Sequence, residues 1–374
     1  MNTINGIRKW IDKKGKIAIF CAGKNGYTFY RILKMLDLQI DCVVDNDETL
    51  WNKTVFNNVK CCAPDFLSNQ ENYITYICIA PEHYKSIVRQ AEHLGIRHIA
   101  ETSEIVRDII RFYPNLYLKL LQELPYGKGC ELFYSVSQYE HEFVLPARQI
   151  DKDEKIAVYT SIFGTYDAIR EPQYLSDNID YYFVSDIKPD ALNVYQWIDA
   201  TEYIPTDVTN DVDRNRYIKM HPHIVFPQYK YSIYIDGNVQ ILGDMGMFIQ
   251  NSTTGISVFL HPYRDDIYTE ALAVVNYKRA NKQDVHNHME KYLDEKMPIG
   301  YGLPEMRLLS REHNNPNCIH IMEAWWNEFK SKSKRDQLSF MYVMWKNGFD
   351  MSDLFVLGRD MRKCESISIC EHLI

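Results

Sequence analysis

The sequence predicts an α/β protein made of two domains. The first observation is the length of 374 residues, which exceeds the usual size of a single domain. The second is the alternation of short apolar runs with amphipathic stretches, which is typical of right-handed βαβ units. The third is the break at Pro125, Gly127 and Gly129, after which the sequence is polar and irregular as far as Asp153.

The composition is that of an ordinary globular protein. With 46% hydrophobic and 25% charged residues, it argues against disordered, collagen-like and coiled-coil chains. The 50 Asp and Glu residues outnumber the 42 Lys and Arg residues, which gives a formal net charge of -8. We therefore expect no long basic groove for nucleic acid, although a local basic patch could bind phosphates. The 27 Tyr residues exceed the 16 Phe residues, and we attribute this excess to genome composition.

Cysteine usage and hydropathy predict a cytoplasmic protein. The nine Cys residues are odd in number and include no C-x-x-C pair, which argues against a disulfide framework or a zinc site. Met1–Trp10 lacks the apolar core of a secretory signal, and apolar runs such as Leu338–Trp345 are too short to span a bilayer. Peripheral association with the inner face of a membrane stays open, and the oligomeric state is not predicted.

Residues 1–105 are predicted to form a small Rossmann-like domain. Short apolar runs of this kind are typical of strands that are buried in a parallel sheet. The expected strands are Lys16–Cys21, Ile40–Val44, Tyr73–Ala80 and Arg97–Ala100, and the expected helices are Tyr27–Leu36 and Tyr84–Leu94.

A glycine-containing turn follows the first of these strands. Gly23 and Gly26 precede a helix, and Asp45 closes the next strand, as in a turn that binds a dinucleotide. The full G-x-G-x-x-G spacing is absent, so a tight turn without a ligand is the alternative interpretation. If the turn does bind a nucleotide, the chain could be an oxidoreductase or epimerase that depends on NAD or a sugar nucleotide.

The rest of the chain is predicted as a helical linker over residues 106–154, a second α/β domain over 155–348 and a C-terminal tail over 349–374. The expected strands of the second domain are Lys155–Ser161, Tyr181–Val184, Tyr231–Ile235, Ile256–Leu260 and Met306–Ser310. Its expected helices are Arg214–Met220, Asp266–Tyr277, Val285–Glu295 and Asp336–Trp345.

Polar and aromatic residues lie at the ends of the first two strands of the second domain. Ligands of open α/β sheets bind at the carboxyl ends of the strands. There, Asp186 could form hydrogen bonds with a uracil ring and Phe163 could stack on it, beside Thr160 and Ser161. Ordinary strand ends with polar turns are the alternative.

The segment Tyr231–Leu242 reads Y-S-I-Y-I-D-G-N-V-Q-I-L. One interpretation is a hairpin, because D-G and G-N are preferred turn dipeptides. The other is a variant D-x-D motif, in which Asp236 binds the divalent ion that bridges a diphosphate and Asn238 supplies an amide oxygen. On this interpretation Asp236, Gly237 and Asn238 contact the donor, and the metal is Mn²⁺ or Mg²⁺.

Basic and aromatic residues flank this motif. Arg214 and Lys219 lie on a helical stretch and are predicted to contact phosphates, with a solvated helix face as the alternative. Paired tryptophans beside carboxylates suit a sugar, or else anchor two helices together. The residues predicted to contact the sugar or acceptor are His261, Arg264, His313, Trp325 and Trp326.

Seven segments occur in one order over roughly residues 155–345. They read Y-T-S-I-F-G-T-Y-D, R-N-R-Y-I-K-M-H-P-H, Y-K-Y-S-I-Y-I-D-G-N, H-P-Y-R-D-D-I-Y-T-E-A, R-E-H-N, W-W-N-E and S-K-R-D-Q-L-S-F. As a set they resemble the glycosyltransferase-like domain of plant mucilage and turgor-regulation proteins and of bacterial capsular polysaccharide proteins. The resemblance implies a GT-A fold, a nucleotide-sugar donor and a divalent ion, with D-G-N standing where two carboxylates are usual.

The function that this resemblance implies is transfer of a sugar from a UDP-linked donor to a glycan or lipid-linked acceptor, in the synthesis of a capsular or surface polysaccharide. In an inverting reaction, Asp336 would be the first candidate and Glu328 the second for the base that takes the acceptor proton. In a retaining reaction, Gln337, Asp336 or His313 would line the face where sugar and acceptor meet. The second hypothesis is a non-catalytic module that binds a nucleotide sugar or a glycan, and the missing second carboxylate supports it.

Overall fold

The computed structural model describes residues 3–123, 147, 150–151, 153–164 and 167–372. The chain divides into two compact units, of which the first comprises residues 1–136 and 268–299 and the second residues 137–267 and 300–374. Most of the predicted linker beyond residue 123 lies outside the described residues, as do Thr165 and Tyr166 of the first strand-end motif.

The first unit contains a six-stranded sheet in the order β3-β4-β2-β1-β5-β6. All neighbouring strands are parallel except the short β3–β4 pair at one edge, which the sequence analysis missed. The strands are β1 (Lys16–Phe20), β2 (Cys42–Val44), β3 (Thr54–Val55), β4 (Val59–Cys62), β5 (Tyr73–Ile77) and β6 (Ile99–Ala100). The helices are α1 (Ile4–Asp12), α2 (Lys24–Met35), α3 (Pro81–His93), α4 (Ser103–Phe112) and α5 (Pro114–Glu123).

Two helices from later in the sequence belong with this unit. They are α8 (Ile267–Asn276) and α9 (Lys282–Asp294), which the sequence analysis assigned to the second domain. Helix α9 packs against α5, and the Tyr117 hydroxyl donates a 3.0 Å hydrogen bond to the Tyr268 carbonyl oxygen. The first unit is therefore discontinuous in sequence. The domain boundaries given above stay a prediction.

The glycine-containing turn of the first unit is tight. A Cβ atom added to Gly26 would lie 2.0 Å from the carbonyl oxygen of Cys21, so only glycine allows α2 to start this close to the end of β1. The Asp45 carboxylate accepts a 2.6 Å hydrogen bond from the Ala22 backbone N–H. These contacts explain both Gly26 and Asp45 by the packing of the turn itself.

The second unit is built on a seven-stranded sheet in the order β14-β12-β13-β10-β7-β8-β9. Strands β9, β8, β7 and β10 are parallel, whereas β13 runs antiparallel to both β10 and β12. The strands are β7 (Ile156–Ser161), β8 (Ile179–Ser185), β9 (Gln196–Asp199), β10 (Tyr231–Ile235), β12 (Ile256–Leu260), β13 (Pro304–Arg311) and β14 (Phe355–Gly358). All six residues of β7 are buried, as expected for a central strand covered on both faces.

Four helices of the second unit connect and cover these strands. They are α6 (Asp211–Met220), α7 (Pro222–Val225), α10 (Pro316–Lys330) and α11 (Asp336–Lys346). The side chain of Asn210 caps α6 by accepting a hydrogen bond from the Asp213 N–H, and Pro316 occupies the first turn of α10, where its missing N–H costs nothing. The mixed sheet of this unit and the mainly parallel sheet of the first unit confirm the predicted α/β class, with a small Rossmann-like sheet in the N-terminal part of the chain.

The hairpin interpretation of the D-G-N segment is wrong. Strand β10 ends at Ile235 and pairs with β7 and β13, whereas β11 (Val239–Ile241) pairs with β15 (Ile367–Ile369) in a separate two-stranded sheet. The turn itself is real, because the Val239 N–H donates a 2.9 Å hydrogen bond to the Asp236 carbonyl oxygen. The chain leaves the main sheet here because a strand near the C-terminus pairs with β11.

Parallel pairing determines where the site lies. Strands β7, β8, β9 and β10 all end at one edge of the sheet, and the antiparallel β13 begins there. We name this the carboxyl edge. None of the described helices is both long and apolar enough to cross a bilayer.

Candidate active site

The D-G-N tip (Asp236, Gly237 and Asn238) lies at the carboxyl edge directly after β10. The Asp236 N–H donates a 2.8 Å hydrogen bond to the Arg307 carbonyl oxygen, which continues the pairing of β10 with β13 by one residue. A Cβ atom on Gly237 would lie 2.9 Å from Cδ1 of Ile162, so glycine allows the tip to pack against the loop after β7. The Asp236 side chain remains 25% exposed and can contact a ligand.

Asn238 links the tip to the C-terminal segment. Its Nδ2 donates a 3.2 Å hydrogen bond to the Cys370 carbonyl oxygen, and its own carbonyl oxygen accepts a 2.8 Å hydrogen bond from the Cys370 N–H. Its Oδ1 is buried and accepts no hydrogen bond within the described part of the chain. An unsatisfied buried amide oxygen is costly and is a suitable ligand for a hard cation.

The oxygens of Asp236 and Asn238 are of the chemical type that a divalent ion prefers, and the ion itself stays a prediction. Mg²⁺ commonly binds one or two protein carboxylates together with substrate phosphates and water. Asp236 and Asn238 offer oxygens of the right type for such a site. Over residues 3–123 and 153–372, apart from the few that are not described, no cluster of three or more His, Cys, Asp or Glu side chains could hold a metal ion.

Lys219 lies beside Asp236 although the two residues come from different elements. Its Nζ atom, on α6, lies 3.9 Å from Oδ1 of Asp236 and 2.7 Å from Oδ2 of Asp336, on α11. The Nζ atom also lies 5.1 Å from the centroid of the Tyr234 ring and 5.9 Å from that of Trp325. The side chain is fully buried, and burial lowers the pKa of Lys219 while both carboxylates oppose that shift.

Asp336 is held by more than one cation. Besides Lys219, the Arg216 Nε atom lies 2.9 Å from Oδ2 of Asp336. Burial by itself would raise the pKa of Asp336, but Arg216, Lys219 and Arg335 hold it well below its usual value. A carboxylate that stays ionised is a weak proton acceptor, so this geometry favours Asp336 as the counter-ion of Lys219. Its role as the catalytic base stays a prediction.

The predicted donor-binding residues of β7 and β8 lie at the same edge. Ser161 accepts hydrogen bonds from Asn215 Nδ2 at its carbonyl oxygen (2.7 Å) and at its hydroxyl (3.0 Å). Thr160 and Phe163 are also buried, so Phe163 does not offer an open ring face for stacking in this conformation. Asp186 and Arg214, both partly exposed, form an ion pair in which Oδ2 and Nη1 are 2.9 Å apart.

The edge continues through the residues that follow β12 and precede β13. Nδ1 of His261 accepts hydrogen bonds from the Tyr263 and Arg264 N–H groups, at 3.2 and 3.1 Å, so His261 caps this turn. The Arg264 guanidinium approaches Nε2 of the same ring at 3.0 Å. Gln337 donates a 3.1 Å hydrogen bond to the Pro304 carbonyl oxygen, which holds the start of α11 against β13.

Three residues predicted to contact the sugar are placed in the core instead. Trp325 is fully buried, donates a 2.9 Å hydrogen bond to the Asp336 carbonyl oxygen and packs edge-on against Phe340. Trp326 stacks on Phe329 within α10. His313 is fully buried and donates from Nε2 to the Phe226 carbonyl oxygen at 3.0 Å. Large aromatic surfaces gain more free energy from burial than from exposure at an edge, which explains the placement of the two tryptophans.

Glu328 lies in the last turn of α10, where its carbonyl oxygen accepts a 3.1 Å hydrogen bond from the Ser331 hydroxyl. Its role as second candidate for the base stays a prediction.

Sequence reasoning missed the buried arginine that supports Lys219. Arg311 is fully buried and donates 2.7 Å hydrogen bonds from Nη1 to the Lys219 carbonyl oxygen and from Nη2 to the Tyr159 hydroxyl. These bonds hold the C-terminal end of α6. Arg311 begins the R-E-H-N segment, and its position directly after the predicted strand Met306–Ser310 was the signal that could have identified it.

The comparisons with known proteins agree with the predicted resemblance. Residues 204–367 match the model of the TOD1/MUCI70 glycosyltransferase-like domain family. "Probable hexosyltransferase MUCI70" of Arabidopsis thaliana is 25% identical over 218 residues, which cover 50% of this chain and 37% of that protein. "Alkaline ceramidase TOD1" of the same plant is 23% identical over 221 residues, which cover 50% of this chain and 48% of that protein. The chain thus spans less than half the length of either relative.

Two solved structures show weaker similarity. The apo structure of the WbbM bifunctional glycosyltransferase has a TM-score of 0.36 at 15% identity. The alignment covers 74% of this chain and 51% of the WbbM chain. The apo form of mouse xyloside xylosyltransferase 1 has a TM-score of 0.32 at 11% identity. The alignment covers 54% of this chain and 84% of the mouse chain.

Proposed function

We propose that this protein is a glycosyltransferase that moves a sugar from a nucleotide-sugar donor to a glycan or lipid-linked acceptor. One observation carries the proposal: Asp236, Lys219 and Asp336 meet at the carboxyl edge although they lie in three separate segments. Each of these segments belongs to the set that resembles the glycosyltransferase-like domain. The match of residues 204–367 to that domain family supports the same function.

The chemistry required is stabilisation of a departing nucleoside diphosphate. Breaking the bond between the sugar and the diphosphate leaves negative charge on the phosphate oxygens, and preorganised cations lower the barrier. Lys219 is suited to this because burial strengthens its interaction with charge, and Asp336 and Arg311 fix its position. A Mn²⁺ or Mg²⁺ ion held by Asp236 and Asn238 would neutralise the diphosphate further.

The two sides of the site suit the two substrates. The Asp186–Arg214 pair at the ends of β8 and α6 offers an acceptor and a donor for a nucleoside, and we propose UDP as the carrier. We propose that Arg264 and Gln337, near the start of β13, contact the acceptor. A surface-polysaccharide acceptor and a cytoplasmic location belong to the same proposal.

A donor screen tests this function. Release of nucleoside diphosphate is measured with a panel of nucleotide sugars, with Mn²⁺ and with EDTA, for the wild type and for Asp236→Ala. We expect the variant to lose at least a hundredfold in rate, since removing one charge-stabilising group costs about 10²–10³. The control is Asp180→Asn. In the wild type the Asp180 carboxylate lies 3.1 Å from the Lys155 Nζ atom, near the opposite edge of the sheet. Near-wild-type turnover of Asp236→Ala would sink the assignment.

Two other outcomes would replace the proposal. Donor binding by calorimetry without turnover, under any metal or acceptor condition, would favour a non-catalytic binding module. One relative is named a ceramidase, and ceramide hydrolysis by this chain, without any release of nucleoside diphosphate, would assign an amide hydrolase instead.

A further inference from the structure

Arg170 connects three segments around the D-G-N tip. It follows β7 by nine residues, and its side chain is 11% exposed. Its Nη1 donates hydrogen bonds to the Gly237 carbonyl oxygen at 3.0 Å and to Oδ1 of Asp167 at 2.9 Å. Its Nη2 donates a 2.8 Å hydrogen bond to the Glu371 carbonyl oxygen. One guanidinium thus bridges the tip, its own loop and the C-terminal segment.

The C-terminal segment, residues 367–372, is attached to the same place by further contacts. Strand β15 pairs with β11, which directly follows the tip, and Cys370 exchanges two hydrogen bonds with Asn238. Nδ1 of His372 lies 2.7 Å from Oδ2 of Asp167, whose side chain is 1% exposed. Because Asp167 also binds Arg170, these contacts form a single network.

The geometry points to Arg170 as a positioning residue: we propose that it locks the D-G-N tip to the C-terminal segment, which thereby completes the donor site. This inference rests on the proposed function. The bonded atom is the carbonyl oxygen of Gly237, between the two residues that would hold the diphosphate and its ion. Because the tip is already ordered before the donor binds, binding does not incur the conformational entropy cost of ordering it.

The planar fork of arginine explains why this residue type is needed. Arg170 bonds with two of its nitrogens in fixed directions to carbonyl oxygens of two segments, which a lysine ammonium on a flexible stem does not reproduce. The expected effect therefore depends on the shape of the side chain as well as on its charge. Arg170→Lys separates shape from charge, and Arg170→Met removes both.

The test combines backbone hydrogen exchange with donor kinetics in the full chain. In Arg170→Met, we expect amides 237–241 to exchange at least tenfold faster and the donor KM to rise about tenfold or more, with Arg170→Lys intermediate. The control is Arg107→Met, which removes an arginine whose ion pair with Glu104 spans 2.7 Å on α4 of the first unit. Unchanged exchange in Arg170→Met overturns the proposal, as does an equal effect of Arg107→Met on amides 237–241.

A truncation keeps the proposal testable if Arg170→Met fails to fold. Removing residues 370–374 deletes the Glu371 and Cys370 contacts but leaves β15. We expect the truncation alone to speed the exchange of amides 237–241 at least tenfold, and unchanged exchange there contradicts the proposal. Where Arg170→Met does fold, it should add less than threefold in the truncated background, because the two changes break one network. A full additional effect contradicts the proposal. A wild type that transfers no sugar would refute the proposed function. Because hydrogen exchange needs no donor, the exchange rates of amides 237–241 would still test whether Arg170 holds the tip.

Discussion

Asp45 and Asp236 occupy equivalent positions in the two units and have different surroundings. Each directly follows a strand of a mainly parallel sheet, β2 in the first unit and β10 in the second. Asp45 uses its carboxylate within its own unit's turns, accepting hydrogen bonds from the Ala22 N–H at 2.6 Å and the Asp47 N–H at 2.9 Å. Asp236 instead presents its carboxylate to the ammonium group of Lys219, 3.9 Å away.

The difference shows that an acid at the end of a strand does not by itself make a ligand site. A carboxylate that accepts hydrogen bonds from backbone N–H groups stabilises a turn. At Asp45 these groups are the N–H groups of Ala22 and Asp47. At Asp236 the charged partner comes from a helix, so the carboxylate belongs to a charged cluster that is built from separate segments. The neighbours of a carboxylate decide its role.

Breaking the ion pair behind Asp236 should have the largest effect. Lys219→Met leaves Asp336 buried with fewer cations, and Asp336→Asn leaves Lys219 buried without its 2.7 Å partner. We expect each single variant to lose up to about 3–5 kcal/mol of unfolding free energy, because a buried charge loses its nearest partner. The double variant should lose less than the sum. Urea denaturation of all four proteins gives the coupling, and strictly additive losses would contradict a coupled pair.

Replacing the two strand-end carboxylates should separate stability from activity. Asp45→Asn is expected to cost about 1–3 kcal/mol of unfolding free energy, because it weakens two hydrogen bonds of a turn. It should leave the rate of sugar transfer unchanged, whereas Asp236→Ala reduces it at least a hundredfold. Both quantities are measured on the same preparations, by denaturation and by release of nucleoside diphosphate. A loss of transfer in Asp45→Asn at unchanged stability would mean that the first unit takes part in the chemistry.

Acid should lower the stability of the second unit by a smaller amount. Burial lowers the pKa of His313 from 6.5 to about 4, and Arg311 and His223 act in the same direction. His313 therefore takes up a proton below about pH 6.5 in the unfolded chain but only below about pH 4 in the native state. Its contribution to stability is complete above pH 6.5 and is lost as the pH falls towards 4. Between pH 7 and pH 5 we expect a loss of about 2 kcal/mol from this group.

The variant His313→Gln checks the acid prediction. Glutamine can still donate a hydrogen bond to the Phe226 carbonyl oxygen but does not titrate. The difference in unfolding free energy between pH 7 and pH 5 should shrink by about 2 kcal/mol in the variant. An unchanged difference would show that His313 is not responsible.

Local patterns predicted much of the fold. The apolar run at residues 155–161 corresponds to β7, and the run Met306–Ser310 lies within β13. Strands β9, β14 and β15 were missed because they are only three or four residues long and lack a clear alternation. The D-G-N segment predicted the turn correctly but not the strand partners, since β11 pairs with a strand more than a hundred residues later.

The candidate site was predictable in part. Asp236, Lys219 and Asp336 were named from their segments, and the structure brings them together. Trp325 and His313 were expected at a sugar-binding surface and are buried, because composition does not reveal which face of a helix or strand turns inward. Arg170 was missed because its partners are the carbonyl oxygens of Gly237 and Glu371, and such contacts have no sequence signature.

By itself the sequence determined the α/β class, the alternation of strands and helices, the D-G-N turn and the resemblance of the second domain. These follow from hydrophobic periodicity, turn chemistry and motif order, all of which act over short stretches of chain. Only the tertiary structure decided that α8 and α9 join the first unit, that β15 pairs with β11, and that Lys219 lies between Asp236 and Asp336. The physical reason is that sheet register and burial bring distant segments together, and the charge and hydrogen-bonding of a side chain depend on those neighbours.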